Sequence, residues 1–570
     1  MNTAGKALIE ALSEAGVTFL FANLGSDHPG IIEALAEAKA TGRPAPRLIT
    51  CPNEMVALSA AHGFAQVTGH AQAVLVHVEC GTQALGGAFH NAAKGRVPVL
   101  IFAGASPFTQ EGELKGSRNE FIQWIQDVFD QRGLVRGYVK YDNEIRTGRN
   151  IKQMVHRALQ FAQSDPKGPV YLMAAREVLE EEVPPVTIDP ACWPPLAPCA
   201  ISSTDVAALF ADLLAAHRPL VVTSYLGRNP NAVHELVRLC ERLAIGVLES
   251  VPSHVNYPAD AGLYQGNQWN EQEQNRVLAE ADFVLVIDSD VPWIQTVSKP
   301  RHDAVIYQID VDPLKEQMPL RQIPARRIFR ADAATALRQI NERLDETIID
   351  DEAVTARRSH YQSLHEQRRR MHNQKEATDG KIITPEYLTA CVRRHIDGNS
   401  IVLNEGITNY PTIINHLGVL RPGQMFTSGG GSLGWHGGAA IGMKLACQDK
   451  TVICLTGDGS YMFSVPSSVH WIARRYRTPF LTVIYNNRGW KAPKYSTLAI
   501  HPDGYASRAD DIGVSFDPPP DYAGIAAAAG GAHARIVHRP DELNDALAEA
   551  LSVVRNEQRC AVVDVWLPHL

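Results

Sequence analysis

Gly457-Asp458-Gly459-Ser460 and Asn486-Asn487 are the residues of this chain whose types and spacing point most directly to chemistry. Each group ends an apolar run, Thr451–Leu455 and Phe480–Tyr485, and an amphipathic stretch, Val465–Tyr476, lies between the runs. The pattern predicts a strand, turn, helix and second strand. In a parallel sheet both strand ends lie on one edge, so Asp458 and Asn487 face a common ligand. A carboxylate oxygen, an amide oxygen and a backbone carbonyl, that of Gly489, suit a hard octahedral cation such as Mg2+, which in turn would hold a diphosphate. Gly457 and Gly459 let the backbone approach phosphate oxygens, and Ser460 brings a hydroxyl and an amide to a helix start. The plainer alternative is a Gly-Asp turn and an Asn-Asn turn with no ligand.

The elements that must position these groups follow from the rest of the chain. Its 570 residues suffice for about three domains. A hydrophobic content of 45% and a charged content of 20% describe a soluble globular protein. The net charge of −8 argues against a general nucleic-acid surface. The opening MNTAGKALIEALSEAGV reads as an amphipathic helix rather than a signal peptide, and no apolar run reaches membrane-spanning length. Nine cysteines are scattered with no CxxC pair, which predicts reduced thiols and a cytoplasmic location. Three α/β segments are expected, 1–183, 201–345 and 380–570, with the proline-rich Pro184–Ala200 as the first linker. Strands are predicted at Phe19–Leu24, Leu48–Thr50, Ala73–Val78 and Val97–Phe102, then at Leu220–Thr223, Phe283–Ile287 and Val305–Ile309. The charged stretch 345–380 reads as a solvated helix or linker. The central segment has Asp-rich strand ends but no GxGxxG, so a structural domain without a nucleotide is expected there. The fold class expected is α/β, with three doubly wound parallel-sheet domains, the central one Rossmann-like.

The interval between the two turn groups resembles the GDG…NN signature of thiamine diphosphate enzymes. The resemblance extends over nearly the whole chain, in the domain order of acetolactate synthases, benzoylformate decarboxylases and oxalyl-CoA decarboxylases. It implies a pyrimidine-binding first domain and a diphosphate-binding third domain of shared topology. It also implies thiamine diphosphate with Mg2+ held by Asp458, Asn487 and Gly489, and a homodimer or homotetramer with active sites between chains. The family needs a carboxyl group beside the aminopyrimidine, and Glu54, at the head of NEMVALSAAHGFAQVTG, takes that place. From the residues alone Glu54 is equally a helix-start glutamate favoured by the macrodipole. Thr427–Gly442, TSGGGSLGWHGGAAIG, resembles the stretch that bends the cofactor, with Leu433 as the apolar wedge and Gly431 offering a carbonyl to the amine. His-Gly-Gly stands there in place of the usual apolar-Pro pair. Thr408, in NEGIT, resembles a hydroxyl donor of the loop over the diphosphate.

Two further stretches resemble active-site loops of benzoylformate decarboxylase. Phe21–Pro29, FANLGSDHP, places Ser26 and His28 as candidates, and Val76–Gln83, VHVECGTQ, places His77. A histidine titrating near neutrality suits proton transfer, which favours a functional His77 over a core histidine, while Ser26 reads equally as a turn residue. Gln126 lies near the glutamine that acetolactate synthases place in their site. Glu79 is either a second acid-base group or the partner of a lysine. The turn-rich Arg488–Asp521, with Trp490, Lys491 and Lys494, is a candidate lid, its lysines binding a substrate carboxylate or simply solvated. The activity expected is that of a lyase and carboligase acting on a small 2-oxo acid or 2-hydroxy ketone, with no nucleic acid or membrane as partner. An acetolactate synthase-like transferase, a flavin-containing pyruvate oxidase-like oxidoreductase and a non-catalytic family member are the alternatives.

Overall fold

Runs such as Val99–Ala105 and Thr451–Gly457 are apolar on both faces, which suits strands covered by helices on both sides, and both form almost fully buried strands. The structure, a computed structural model, describes residues 2–418 and 420–569. The first unit contains β1 (Phe19–Ala22), β2 (Arg47–Thr50), β3 (Gln72–Val76), β4 (Val99–Ala105), β5 (Tyr141–Glu144) and β6 (Val170–Ala175). The central unit contains β7 (Pro219–Thr223), β8 (Gly246–Ser250), β9 (Tyr264–Gln268), β10 (Phe283–Ile287), β11 (Val305–Asp310) and β12 (Arg327–Arg330). The third contains β13 (Ser400–Glu405), β14 (Met425–Phe426), β15 (Thr451–Gly457), β16 (Leu481–Asn486), β17 (His533–Val537) and β18 (Ala561–Trp566). Helices flank three six-stranded parallel sheets, ordered β2-β1-β3-β4-β6-β5, β12-β11-β10-β7-β8-β9 and β14-β13-β15-β16-β18-β17.

The first and third orders are the same once each unit's strands are counted from its own start. Both therefore reverse direction between their first and third strands, and ligands of open α/β sheets bind beyond the strand ends at that reversal. In the first unit that place holds Asn23–His28 and His77–Cys80. In the third it holds Gly406–Asn409 and Asp458–Ser460. No helix of the described residues is long and apolar enough to cross a membrane.

The outer units share one core, built around helix Glu54–Thr68 packed on helix Trp435–Ala446. Small residues allow the backbones to touch. A Cβ at Gly442 would stand 1.8 Å from the Ala60 carbonyl oxygen, and one at Gly63 would stand 2.3 Å from that of Ala439. Gly442→Ala must therefore push the helices apart, at a cost of about 1–3 kcal/mol. It should lower the urea midpoint, while Gly398→Ala, where a Cβ meets nothing within 4 Å, should stay within about 0.5 kcal/mol of the parent. An equal effect of the two would contradict the close-packing account.

The charged stretch after the central unit is a helix, Asp351–Lys375, capped by Asp350. It is more than a solvated connector, because Arg357, Tyr361 and His365 form a buried stripe. The Tyr361 hydroxyl donates to the Pro219 carbonyl at 2.7 Å. Pro184–Ala200 is irregular apart from one short turn, Pro190–Cys192. The central unit is tied to both neighbours. Arg96 forms a two-pronged bridge to Asp290 at 2.6 and 3.0 Å, and Trp269 stacks on Tyr410 at 4.8 Å.

Candidate functional site

The loop after β1 and the helix start after β3 bring four titratable groups together. Asp27 is buried and its Oδ1 lies 2.6 Å from His77 Nδ1, while Oδ2 accepts from the Val78 amide at 3.0 Å. Room for this pair comes from two glycines. A Cβ at Gly25 would overlap the His77 ring, and one at Gly104 would overlap the Asp27 carboxylate. His77 Nε2 meets Gln126 Oε1 at 2.9 Å, so both ring nitrogens face acceptors, as an imidazolium requires. The Asp27 hydrogen bond is the main cause that holds His77 above its ordinary 6.5, with burial opposing. Burial pushes the Asp27 carboxyl up, but His77 and His28 more than reverse this and leave it below its ordinary value.

The sign of the pH dependence follows. The pair's contribution to stability is fully present below pH 6.5 and is lost as pH rises through the raised value of folded His77. It persists on the acid side until pH falls through the lowered value of Asp27. Asp27→Asn should therefore move the NMR titration midpoint of His77 to lower pH, and an unmoved midpoint would refute the coupling.

His28 lies beneath this pair, fully buried. Its Nδ1 accepts from the Gly25 amide at 3.0 Å and its Nε2 faces the Val76 carbonyl at 3.2 Å, which fixes a neutral tautomer that shapes the loop. Ser26 is half-buried at the loop edge. Glu54 opens its helix, half-buried, and accepts from Asn23 Nδ2 at 2.8 Å. Glu79 meets no lysine: it accepts from the Cys80 thiol and from Gln83 Nε2.

The edge of the third sheet encloses a cavity of about 360 Å³, lined by residues 406–409, Leu433, 457–460 and Asn487, together with 489–493. Asp458 is buried there, its Oδ1 accepting from the Gly459 amide at 2.8 Å and its Oδ2 from the Gly489 amide at 2.9 Å. Burial nonetheless pushes its carboxyl up to about 6. Asn487 Oδ1 stands 3.2 Å from Asp458 Oδ1 and 3.1 Å from the Gly489 carbonyl oxygen. Three facing acceptors repel unless a cation lies among them or the amide is turned to donate to both. Adjacent oxygens of an octahedral Mg2+ site are about 3.0 Å apart, from metal–oxygen distances near 2.1 Å, so the spacing fits a bound ion. Among the described residues no cluster of three His, Cys, Asp or Glu could serve a metal instead. Ser460 Oγ is buried without a partner, a hydroxyl that a phosphate oxygen would satisfy.

Thr408 lines the cavity on a short turn, Ile407–Asn409. Ile407 has φ +54° and Val78, at the matching place in the first unit, +30°. Such angles cost a β-branched residue about 1–3 kcal/mol. Leu433 reaches the cavity from the loop that precedes Trp435–Ala446. Glu405 anchors that loop, accepting from the amides of Gly434, Trp435 and His436 at 2.8–3.0 Å and facing His436 Nδ1 at 2.6 Å. His436 thus helps fasten the helix start where an apolar-Pro pair is usual. The amide of the exposed Gly431 donates to His90 Nε2 at 3.1 Å. Trp490 covers Gly459, where a Cβ would meet its indole nitrogen at 2.8 Å.

The structure thus gathers Glu54, His77, Gln126, Ser26 and His28 on one edge. Asp458, Asn487, Gly489, Ser460, Thr408 and Leu433 meet around the other. The residues that line this cavity all belong to the third unit. Asp27 and Glu405 escaped the sequence reading. Asp27 looks like a turn residue between Ser26 and His28, and only the glycines at positions 25 and 104 hint at the space it needs.

Residues 2–134 match the family description "Thiamine pyrophosphate enzyme, N-terminal TPP binding domain". Residues 206–340 match the central domain of that family, and residues 406–565 its C-terminal TPP binding domain. The acetolactate synthase isozyme 3 large subunit of Escherichia coli (strain K12) is 25% identical over 99% of this chain and 95% of its own length. Sulfoacetaldehyde acetyltransferase of Castellaniella defragrans is 23% identical over 99% and 93%. Among solved structures, the 4-hydroxybenzoylformate decarboxylase of Rhodococcus jostii RHA1 superposes with a TM-score of 0.79 at 20% identity, covering 100% of both chains. The benzoylformate decarboxylase of Polynucleobacter necessarius gives 0.80 at 18%, covering 100% of this chain and 99% of its own. At these identities the structural likeness establishes the fold.

Proposed function

Because the chain belongs to the thiamine pyrophosphate enzymes, with all three of that family's domains, we propose that it is a thiamine diphosphate- and Mg2+-dependent lyase. Its reaction would be decarboxylation of a 2-oxo acid, or cleavage and formation of a 2-hydroxy ketone. The observation that carries this reading is the oxygen triad of Asp458, Asn487 and Gly489 beside the unpartnered Ser460 hydroxyl. It supplies one negative charge and two neutral oxygens, a set that leaves a divalent ion short of ligands and ready to take diphosphate oxygens.

When bound, the cofactor supplies a carbon nucleophile and then an electron sink for the pair released by carbon–carbon cleavage. The chain's own residues do the rest. Asp458, Asn487 and Gly489 would hold the ion, and Ser460 and Thr408 would bind phosphate oxygens. Leu433, which reaches into the cavity, would be the apolar support of the bound cofactor, and Gly431 would offer its carbonyl to the cofactor's amine. Glu54, steadied by Asn23, would hold a proton beside the pyrimidine ring. His77, whose hold on its proton Asp27 strengthens and which Gln126 aims, would give a proton from Nε2 to the substrate. Ser26 lies beside it for a hydrogen bond, and His28 supports the loop from below. The domains read as 1–183 for the pyrimidine, 201–345 for the central unit and 380–570 for the diphosphate. Glu54 lies outside the residues that line the Asp458 cavity, which supports a working site completed by a second copy, as a dimer or tetramer.

The test is a panel of 2-oxo acids with thiamine diphosphate and Mg2+, read as CO2 and aldehyde released. No turnover of any 2-oxo acid or acyloin would sink the lyase reading. A second reading, transfer to another carbonyl compound, is favoured by the full-length match to a synthase and an acetyltransferase. Acetolactate formed from pyruvate would select it.

A further inference from the structure

Leu433 reaches the cavity from a loop that is fastened on both sides of it. On the C-terminal side Glu405 accepts from the amides of Gly434, Trp435 and His436. On the N-terminal side the fastening comes from another unit, from helix Gly86–Lys94 of the first. Asn91 of that helix is buried, and both ends of its side chain bond the main chain of a single residue. Its Oδ1 accepts from the Ser432 amide at 3.0 Å, and its Nδ2 donates to the Ser432 carbonyl at 2.9 Å. His90 adds a third bond, its Nε2 accepting from the Gly431 amide at 3.1 Å. The two segments fit closely. A Cβ at Gly430 would stand 2.5 Å from Asn91 Oδ1, and one at Gly87 would overlap the Ser432 hydroxyl.

These bonds fix two peptide planes. In a planar trans peptide the carbonyl points opposite to the N–H that follows it. The Ser432 amide points at Asn91, so the Gly431 carbonyl points away from helix Gly86–Lys94. The Ser432 carbonyl also points at Asn91, so the Leu433 amide points away from that helix as well. Leu433 is thereby left with little freedom between two fastened neighbours. We propose that Asn91 is a positioning residue for the ring end of the cofactor: it aims the Gly431 carbonyl and sets the place of Leu433 in the cavity. The proposal rests on the thiamine diphosphate reading and adds to it a first-unit residue that acts only through the main chain of the third. The diphosphate end has separate anchors, Asp458, Ser460 and Asn487, beyond the ends of β15 and β16. Loss of Asn91 should therefore fall on the rings and spare the diphosphate.

The experiment titrates the full chain calorimetrically, in Mg2+, with thiamine diphosphate and with inorganic diphosphate as a probe that lacks the rings. Asn91→Ala should weaken thiamine diphosphate by about 3–10-fold, the worth of one hydrogen bond. Inorganic diphosphate should stay within about twofold of the parent, as expected of independent sites. Amide hydrogen exchange of the cofactor-free protein is the second measurement. Peptides covering 428–433 should exchange faster in the variant, and peptides covering 457–463 at the parental rate. An Asn91 that merely held the units together would weaken both ligands alike or speed exchange in both segments. Either result, or an unchanged affinity for thiamine diphosphate, would overturn the proposal. Should Asn91→Ala fail to fold, Asn91→Asp, which keeps the acceptor and loses the donor, takes its place with the same expectations. A parent that binds thiamine diphosphate no tighter than diphosphate would sink the cofactor reading and this proposal with it, an outcome visible before any variant is made.

Discussion

Glu54→Gln is expected to lower turnover by about 10²–10⁴-fold, the range supplied by a positioned proton-transfer group, while the fold and cofactor affinity stay near those of the parent. Glutamine keeps the length and one oxygen, so the bond from Asn23 Nδ2, 2.8 Å in the parent, can persist. What is lost is the ability to hold and release a proton beside the pyrimidine. Two readouts locate the defect. Steady-state turnover of the best 2-oxo acid should collapse. Exchange of the cofactor's reactive C–H proton for deuterium, followed by quenched NMR, should slow in parallel. Parental exchange with lost turnover would move Glu54 out of cofactor activation and into a later step.

The second large effect concerns Asp458. Its carboxylate is the one charged member of the oxygen triad, and Asp458→Ala should weaken Mg2+-dependent binding of thiamine diphosphate by at least about 100-fold. Supporting residues around metal ligands already account for 10–100-fold, and a ligand itself should exceed them. Isothermal titration with and without Mg2+ checks this. The ligand-free variant should be no less stable than the parent, because a buried carboxylate with incomplete compensation is costly to fold around. Cofactor should no longer raise its thermal midpoint, although saturation at 100 times Kd would add about 2.7 kcal/mol to the parent. Mixing this variant with Glu54→Gln gives a further check. In randomly mixed two-site dimers, roughly a quarter of the parental sites regain both residues. A mixture as inactive as its components would mean that both residues serve the same chain's site.

Much of this architecture was legible from periodicity and turn chemistry. The runs at 283–287 and 451–455 were strands in sequence because they are apolar on both faces, as buried parallel strands must be. Gly457–Ser460 and Asn486-Asn487 were legible because strand ends of a parallel sheet share an edge. Strands β5 and β17 were not: Tyr-Asp-Asn-Glu and His-Ala-Arg-Ile-Val sit at sheet edges, where exposure removes the apolar signal. The helix at 351–375 was obscured because three buried residues are diluted among charges. The partnership of Asp27 with His77 spans fifty residues of chain, and its one trace in sequence is the pair of glycines, 25 and 104, that make room for it. Glu405 was hidden in the same way, since it serves a helix start thirty residues on.

The glycine-lined contact between Glu54–Thr68 and Trp435–Ala446 sets a timetable for synthesis. Gln66, on the first helix, bonds the Thr427 carbonyl across 361 residues, so the first helix emerges long before its cover exists. At about 5–20 residues per second, an Ala- and Gly-rich apolar face stays bare on the nascent chain for roughly 20–70 s. During that interval the first unit cannot complete its shared core, and neighbouring ribosomes present identical bare faces. Slow elongation or crowded polysomes would thus favour wrong pairing between incomplete chains, and a chaperone holding the first unit would matter most before the last third of the chain appears.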